Sequence, residues 1–219
     1  MRRHIQLPER TSMKRGWYSG RVFPRLVQWS MGQAGFTPLR HSLVAKASGL
    51  VLEIGFGTGA NFSYYPSQIH SLTAIDPNPG MIPLARSLQE EAVIPVHLVL
   101  GSAEALPFPS FSFDTVVSTM TLCSVPLPSN ALQELLRVLR PGGRFLFLEH
   151  GQSPDRSVRL WQDGLTPVWK HLGDGCHLNR PMVQMIQSQG WTVTALENFY
   201  LPGVPKAFAY FSQGMAVKA

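Results

Sequence analysis

Glu53-Ile54-Gly55-Phe56-Gly57-Thr58-Gly59-Ala60-Asn61 decides how this chain folds. It follows Leu50–Ile54, a mostly apolar run with the profile of a buried strand. Glycines at alternate positions predict a tight turn into a helix, where positive φ costs nothing and the main chain can lie close to a ligand. The N–H groups of a helix start favour an anionic group there. Asp76 lies 21 residues beyond Gly55, at the end of a second strand-like run. A carboxylate at that place can accept both ribose hydroxyls of an adenosine. Strand, glycine turn, helix, strand and acid in this order outweigh the plainer reading, a tight turn with Asp76 capping the residues from Asn78 onward.

Outward from this core the alternation continues. Strands are predicted over Leu50–Ile54, Leu72–Asp76, Val96–Leu100, Phe113–Ser118 and Arg144–His150. Helices are predicted over Pro79–Glu91, with Met81, Leu84, Ala85 and Leu88 on one face, and over Ser129–Leu139, with Leu132, Leu135, Leu136 and Leu139. Pro141-Gly142-Gly143 stops the second of these. Such alternation implies a parallel sheet covered by helices on both faces. Trp191–Tyr200 and Lys206–Val217 read as two further strands, and the short loop Leu201–Pro205 permits only an antiparallel pair. Upstream, Gly20–Ala47 holds two helical stretches, with Pro24 and Pro38 near their starts. Phe23, Val27 and Met31 share one face of the first. Residues 1–16 are polar, basic and expected to be loose.

The chain has 219 residues, 44% of them hydrophobic and 15% charged, enough for one domain with a full core. Lys and Arg number 19 against 13 Asp and Glu, a net charge of +6. Residues 1–48 hold nine basic side chains and one acid, Glu9, so they carry +8 and the remainder −2. A nucleic-acid ligand is therefore disfavoured for the body. The arm reads as a cap over the site or as a peripheral foothold on an anionic membrane. Cys123 and Cys176 lie far apart in sequence, with no CxxC and no zinc spacing, which fits a reducing cytoplasm. No signal peptide, spanning helix or metal site is expected.

Gly55, Gly57 and Ala60 also satisfy the dinucleotide form G-x-G-x-x-A, so a nicotinamide or flavin enzyme is a competitor. Glu53 and Gly59 point elsewhere. With Gly101–Phe108, Phe113–Val117, Leu139–Gly143 and the closing hairpin, the sequence resembles the class I S-adenosylmethionine-dependent methyltransferases from about Val51 onward. The resemblance implies an α/β, Rossmann-like sheet of seven strands with its last hairpin antiparallel. It divides the chain into residues 1–48, a basic arm and helical cap, and residues 49–219, the methyltransferase domain. It also implies S-adenosyl-L-methionine as cofactor. Gly55, Gly57 and Gly59 would lie beside the methionine portion, with the acid Glu53 before them, and Asp76 would hold the ribose. Pro77 and Asn78 would flank the adenine and Ser102 and Ala103 meet its edge, while Thr119 and Met120 would line the reactive end.

A sulfonium methyl is already electrophilic, so the protein has chiefly to hold a nucleophile in line and exclude water. Thr121–Val125, Glu149-His150 and Asp174-Gly175-Cys176 with Arg180 are similar to the methyltransferase-like thiol S-methyltransferases and their bacterial relatives, some of them phospholipid or quinone methyltransferases. That implies a small apolar acceptor, a thiol sulfur first, then the amine of phosphatidylethanolamine or a quinone carbon. From another class, a non-catalytic S-adenosylmethionine-binding protein stays open. His150 and His177 are the candidate catalytic bases. Glu149 is expected to touch the cofactor or fix His150, and Cys123 and Cys176 to be small buried residues. Trp161 and Trp169 share one helical face, lining a pocket or packing the core.

Overall fold

The computed structural model describes residues 16–31 and 35–218. The expected looseness of the N-terminus, and the basic residues Arg2, Arg3, Arg10, Lys14 and Arg15, fall outside these. A π-helical turn (Tyr18–Val22) leads into α1 (Phe23–Met31) and then α2 (Thr37–Val44), each with a proline in its first turn. Next come β1 (Leu50–Ile54), β2 (Ser71–Asp76), α3 (Ile82–Glu91), β3 (Val96–Leu100), β4 (Phe113–Thr119), α4 (Pro128–Val138) and β5 (Leu139–His150). The chain closes with α5 (Arg156–Leu172), α6 (Met182–Ser188), β6 (Trp191–Tyr200), α7 (Lys206–Ala209) and β7 (Tyr210–Lys218).

The strands form one sheet in the order β3-β2-β1-β4-β5-β7-β6. Pairings are parallel from β3 to β5, and β7 runs antiparallel to both β5 and β6. Sequence neighbours within a strand face opposite sides, so each central strand feeds two cores. Leu52, Val116, Phe145 and Phe147 pack beneath α4 and α6, on Leu132, Leu135, Val138 and Ile186. Val51, Val117, Leu146 and Leu148 pack on the other face with Leu43 and Val44 of α2 and Ala85 of α3. The helices around the sheet thus follow from strands that are apolar on both faces.

Boundaries depart from expectation chiefly in three places. The fourth helix ends at Val138, and β5 already begins at Leu139, paired with Phe113, before a register shift leads to Thr115 opposite Arg144. Pro141 disfavours a helical residue before it, and Gly142 at φ 76° absorbs the irregularity. Lys206–Ala209 makes a helical turn ahead of β7, opened by Pro205 with the Phe208 N–H donating to its carbonyl at 2.8 Å. The third helix starts at Ile82, because Pro79–Met81 form a turn in which the Met81 N–H donates to the Asn78 carbonyl at 3.1 Å.

Candidate active site

The C-terminal ends of β1, β2, β4 and β5 open onto a cleft of about 530 Å³, the size of a small-molecule site. Position on this edge follows from parallel topology, since each strand ends in a loop on the same side. At its floor, Gly55 and Gly57 turn the chain with φ of 67° and 53°. A Cβ on Gly55 would collide with Thr121, whereas one on Gly57 would point into open cleft and meet Val27 alone, at 3.8 Å. The main chain at Gly57 is therefore bare where a ligand can lie against it. Gly59 is different: it does not line the cleft, and a Cβ there would press on Phe62.

Asp76, at the end of β2, is buried and receives the Gly57 N–H on Oδ2 at 3.0 Å and the Asn78 N–H on Oδ1 at 2.7 Å. The carboxylate also lines the cleft, where such a group can accept from a ligand's hydroxyls. Pro77, Asn78, Ser102 and Ala103 line the same end of the cleft. The Ser102 hydroxyl is shared between Glu104 Oε2, at 3.1 Å, and the Glu104 N–H, at 3.2 Å.

Beneath the glycine turn lies a buried polar network. Asn61 Nδ2 donates to Glu53 Oε1 at 2.7 Å and to Thr119 Oγ1 at 2.9 Å, while the Tyr65 hydroxyl donates to Glu53 Oε2 at 3.0 Å. Burial pushes the Glu53 carboxyl up to about 7, although these hydrogen bonds and the Arg40 guanidinium pull it down. Arg40, from α2, is itself buried and sits over the Phe36 ring, and desolvation lowers its pKa. Sequence reasoning missed Asn61, Tyr65 and Arg40. Asn61 was within reach, eight residues past Glu53, but pairing depends on the turn that brings them face to face.

Past Thr119 the wall changes character. Met120 stands in the left-handed region, φ 53°, with its N–H on the Leu148 carbonyl at 2.7 Å. A bulky residue held so costs about 1 kcal/mol or more, a sign of a segment fixed by its surroundings. The loop after it is held by Glu149, fully buried, whose carboxylate takes the Ser118 hydroxyl at 2.6 Å and the N–H groups of Thr121, Leu122 and Cys123 at 3.1–3.3 Å. Desolvation raises its pKa, and these four donors oppose the rise. Glu149 therefore positions the loop and lines no part of the cleft, contrary to either role expected of it. Arg180 supports the loop from behind, donating to the carbonyls of Leu122 and Val125.

His150 lines this half of the cleft, 5% exposed, its ring edge-on to Phe211 at 5.2 Å between centroids. Neither ring nitrogen has an oxygen or nitrogen partner. His177 lies off the cleft, its Nδ1 2.7 Å from the Gly175 carbonyl and its N–H on the Cys123 carbonyl at 2.9 Å. Both tryptophans are on α5, but Trp169 lines the cleft with Phe208, whereas Trp161 is 68% exposed. Cys123 and Cys176, 53 residues apart, bring their sulfurs to 3.6 Å in the same wall. No group of three or more metal-binding side chains occurs among the described residues.

The N-terminal cap spans both halves. Asn78 donates to the Ser19 carbonyl at 2.8 Å, the Ser19 hydroxyl donates to the Asp174 carboxylate at 2.9 Å, and the Tyr18 hydroxyl donates to the Leu172 carbonyl at 2.7 Å. Gly80 has no room for a Cβ because the Gly20 carbonyl lies against it. Phe23 and Val27 then face the cleft from above.

Residues 52–147 match the family described as a methyltransferase domain. The thiol S-methyltransferase TMT1B of Rattus norvegicus is 41% identical over 151 residues, 67% of this chain and 62% of the relative. The phosphatidylethanolamine N-methyltransferase of Cereibacter sphaeroides is 34% identical over 129 residues, 57% of this chain and 63% of that one. The match thus spans less than two thirds of these relatives' own length. The N-methyltransferase NodS of Bradyrhizobium japonicum, solved with S-adenosyl-L-homocysteine, superposes with a TM-score of 0.68 at 16% identity, covering 91% of this chain and 98% of that one. An antiparallel β7 set between β5 and β6 separates this sheet from the dinucleotide-binding form with which the glycine motif alone is compatible. Residues 52–147 belong to the methyltransferase domain family, carried on the seven-stranded sheet of the class I S-adenosylmethionine-dependent methyltransferases.

Proposed function

We propose that this protein transfers a methyl group from S-adenosylmethionine to a small apolar thiol. One observation carries the acceptor reading. Beyond Thr119 the cleft is walled by Met120, Trp169, Phe208 and Phe211, with the His150 ring among them. When bound, the cofactor supplies a methyl group already activated for attack. Asp76 would hold its ribose, Ser102 and Ala103 its adenine edge, and Glu53 and the bare main chain at Gly57 its methionine portion. The aromatic wall would exclude water and keep the acceptor sulfur in line. A thiol near pKa 8.5 gives a useful thiolate fraction at neutral pH. His150, turned from its contact with Phe211, would take the remaining proton on a ring nitrogen.

Similarity to the thiol S-methyltransferase supports sulfur, and similarity to a phosphatidylethanolamine N-methyltransferase favours a lipid amine as the second reading. We assign residues 1–48 to a cap that governs access, with a peripheral foothold on anionic membrane from the cytoplasmic side. Its +8 charge supports this, as do the exposed Trp17 and Trp29. No helix among the described residues is long and apolar enough to cross a membrane.

Purified protein given methyl-labelled cofactor with panels of thiols, phosphatidylethanolamine vesicles and quinones tests the acceptor. The expected outcome is label in an extractable S-methyl product, and label entering lipid alone overturns the thiol reading. His150→Ala should lower turnover at least about tenfold and flatten its pH profile while leaving cofactor affinity in place. Unchanged turnover would reduce His150 to a structural ring.

A further inference from the structure

Cys123 and Cys176 play no part in methyl transfer as described above, yet they meet in the wall of the acceptor pocket. Their sulfurs lie 3.6 Å apart, and the His177 N–H on the Cys123 carbonyl, at 2.9 Å, staples the two backbones beside them. Sulfurs at that distance are about 1.5 Å beyond the S–S bond length of about 2.05 Å. The surroundings of the pair are unusual for two structural cysteines. Both ring nitrogens of His150 and the indole nitrogen of Trp169 are buried without an oxygen or nitrogen partner. Without making a hydrogen bond to it, both side chains lie near enough to the Cys176 sulfur to favour its thiolate. The Arg180 guanidinium feels both sulfurs as well. Neighbouring ring nitrogens and a nearby cation favour a sulfur as thiolate, the nucleophilic form.

We propose that Cys176 and Cys123 form a thiol–disulfide exchange site that reduces a small apolar disulfide admitted through the cleft. Cys176 is the attacking sulfur and Cys123 the resolving one. The Cys176 thiolate bonds to one sulfur of the substrate, the substrate S–S bond breaks, and the first thiolate leaves and takes up from solvent the proton that Cys176 had released there. The Cys123 sulfur then bonds to Cys176, the mixed disulfide breaks, and the second thiol leaves with the Cys123 proton. The substrate gains two electrons and two protons, and the protein pair loses them. An external dithiol restores the reduced pair.

The assignment of roles follows from placement. Cys123 is fully enclosed, and contact with the Cys176 sulfur, together with burial, raises its thiol well above the ordinary value. Cys176 is more accessible, and the Cys123 thiol, then the His150 ring and the Trp169 indole, hold it well below that value. An enclosed protonated thiol beside a stabilised thiolate is the pairing that a resolving and an attacking cysteine require.

The full-length reduced protein, free of methyl donor, tests this with 4,4′-dithiodipyridine as probe. Two equivalents of thiopyridone per chain are expected, leaving an intact mass two hydrogens lighter and a peptide bridge joining Cys123 to Cys176. Cys123→Ser should stop at one equivalent with the pyridyl adduct held on Cys176, and Cys176→Ser should slow the first release at least about tenfold. His150→Ala should slow it less while keeping the stoichiometry. Two stable pyridyl adducts without a bridge, or no release before unfolding, would overturn the proposal, and the wild-type mass reads both even where a serine variant fails to fold. Since the assay contains no methyl donor, its failure leaves the methyl-transfer reading intact, and loss of methyl transfer leaves this one intact.

Discussion

At the Asp76 end of the cleft, polar groups are fixed by the main chain: two backbone N–H groups hold the carboxylate, and Asn61 ties Glu53 to Thr119. At the Trp169 end, the wall is made of rings and sulfur, and the buried nitrogens of His150 and Trp169 have no such fixed partners. A preorganised polar half suits one unvarying ligand, since each donor and acceptor is already aimed. An apolar half rewards size and shape, and tolerates differing acceptors at modest cost. The difference locates specificity for the cofactor in one half and breadth toward the acceptor in the other.

The comparison breaks most severely at the glycine turn. Gly55→Ala would force a side chain into a positive-φ residue and against Thr121, at a cost of about 2–4 kcal/mol. Denaturant unfolding and cofactor titration should both show the loss, whereas a neutral substitution would remove the steric account of the turn. Glu149→Ala comes next. It leaves three N–H groups of the Thr121–Cys123 loop without their acceptor and should destabilise the fold by about 3 kcal/mol. Glu149→Gln keeps an acceptor oxygen and should recover part of this.

Glu53 sharpens the contrast through pH. Its carboxyl is raised from 4.5 to about 7 in the folded protein, so the folded state holds this proton across a window in which the unfolded chain has lost it. Stability therefore falls as pH rises from 4.5 through about 7, by up to about 3 kcal/mol from this group. Unfolding in urea at pH 5 and pH 8 should show a smaller decline in Glu53→Gln than in the native chain. An equal decline would place the titrating group elsewhere.

The sequence makes the polar half far more legible than the apolar half, for physical reasons. Leu50–Ile54, Val96–Leu100 and Trp191–Tyr200 stand where their patterns put them, because a Gly or Pro flanks each run. The glycine turn and Asp76 are local features on one strand–helix–strand unit and converge on the cleft as that unit dictates. His177 and Gly59 do not line it, since a motif gives order along the chain but not the direction of a side chain. The acceptor half draws on the end of β4 and on β5, α5, α7 and β7, from Met120 to Phe211. Its members meet by tertiary packing, so the contact of Cys123 with Cys176 has no signature in spacing. Arg40 behaves likewise: a basic residue counted with the arm's charge turns out to be buried in the cleft lining, within electrostatic reach of Glu53.

The most direct measurement is calorimetric titration of S-adenosylhomocysteine into the native protein, Asp76→Ala and Trp169→Ala, with the acceptor KM measured alongside. Loss of charge-assisted hydrogen bonds, about 1.5–3 kcal/mol, should weaken Asp76→Ala at least about tenfold. Trp169→Ala should bind the nucleoside within about twofold of native while its acceptor KM rises several-fold, about the loss expected for part of a buried indole. Equal weakening of nucleoside binding in both variants, or none in Asp76→Ala, would contradict the division of the cleft.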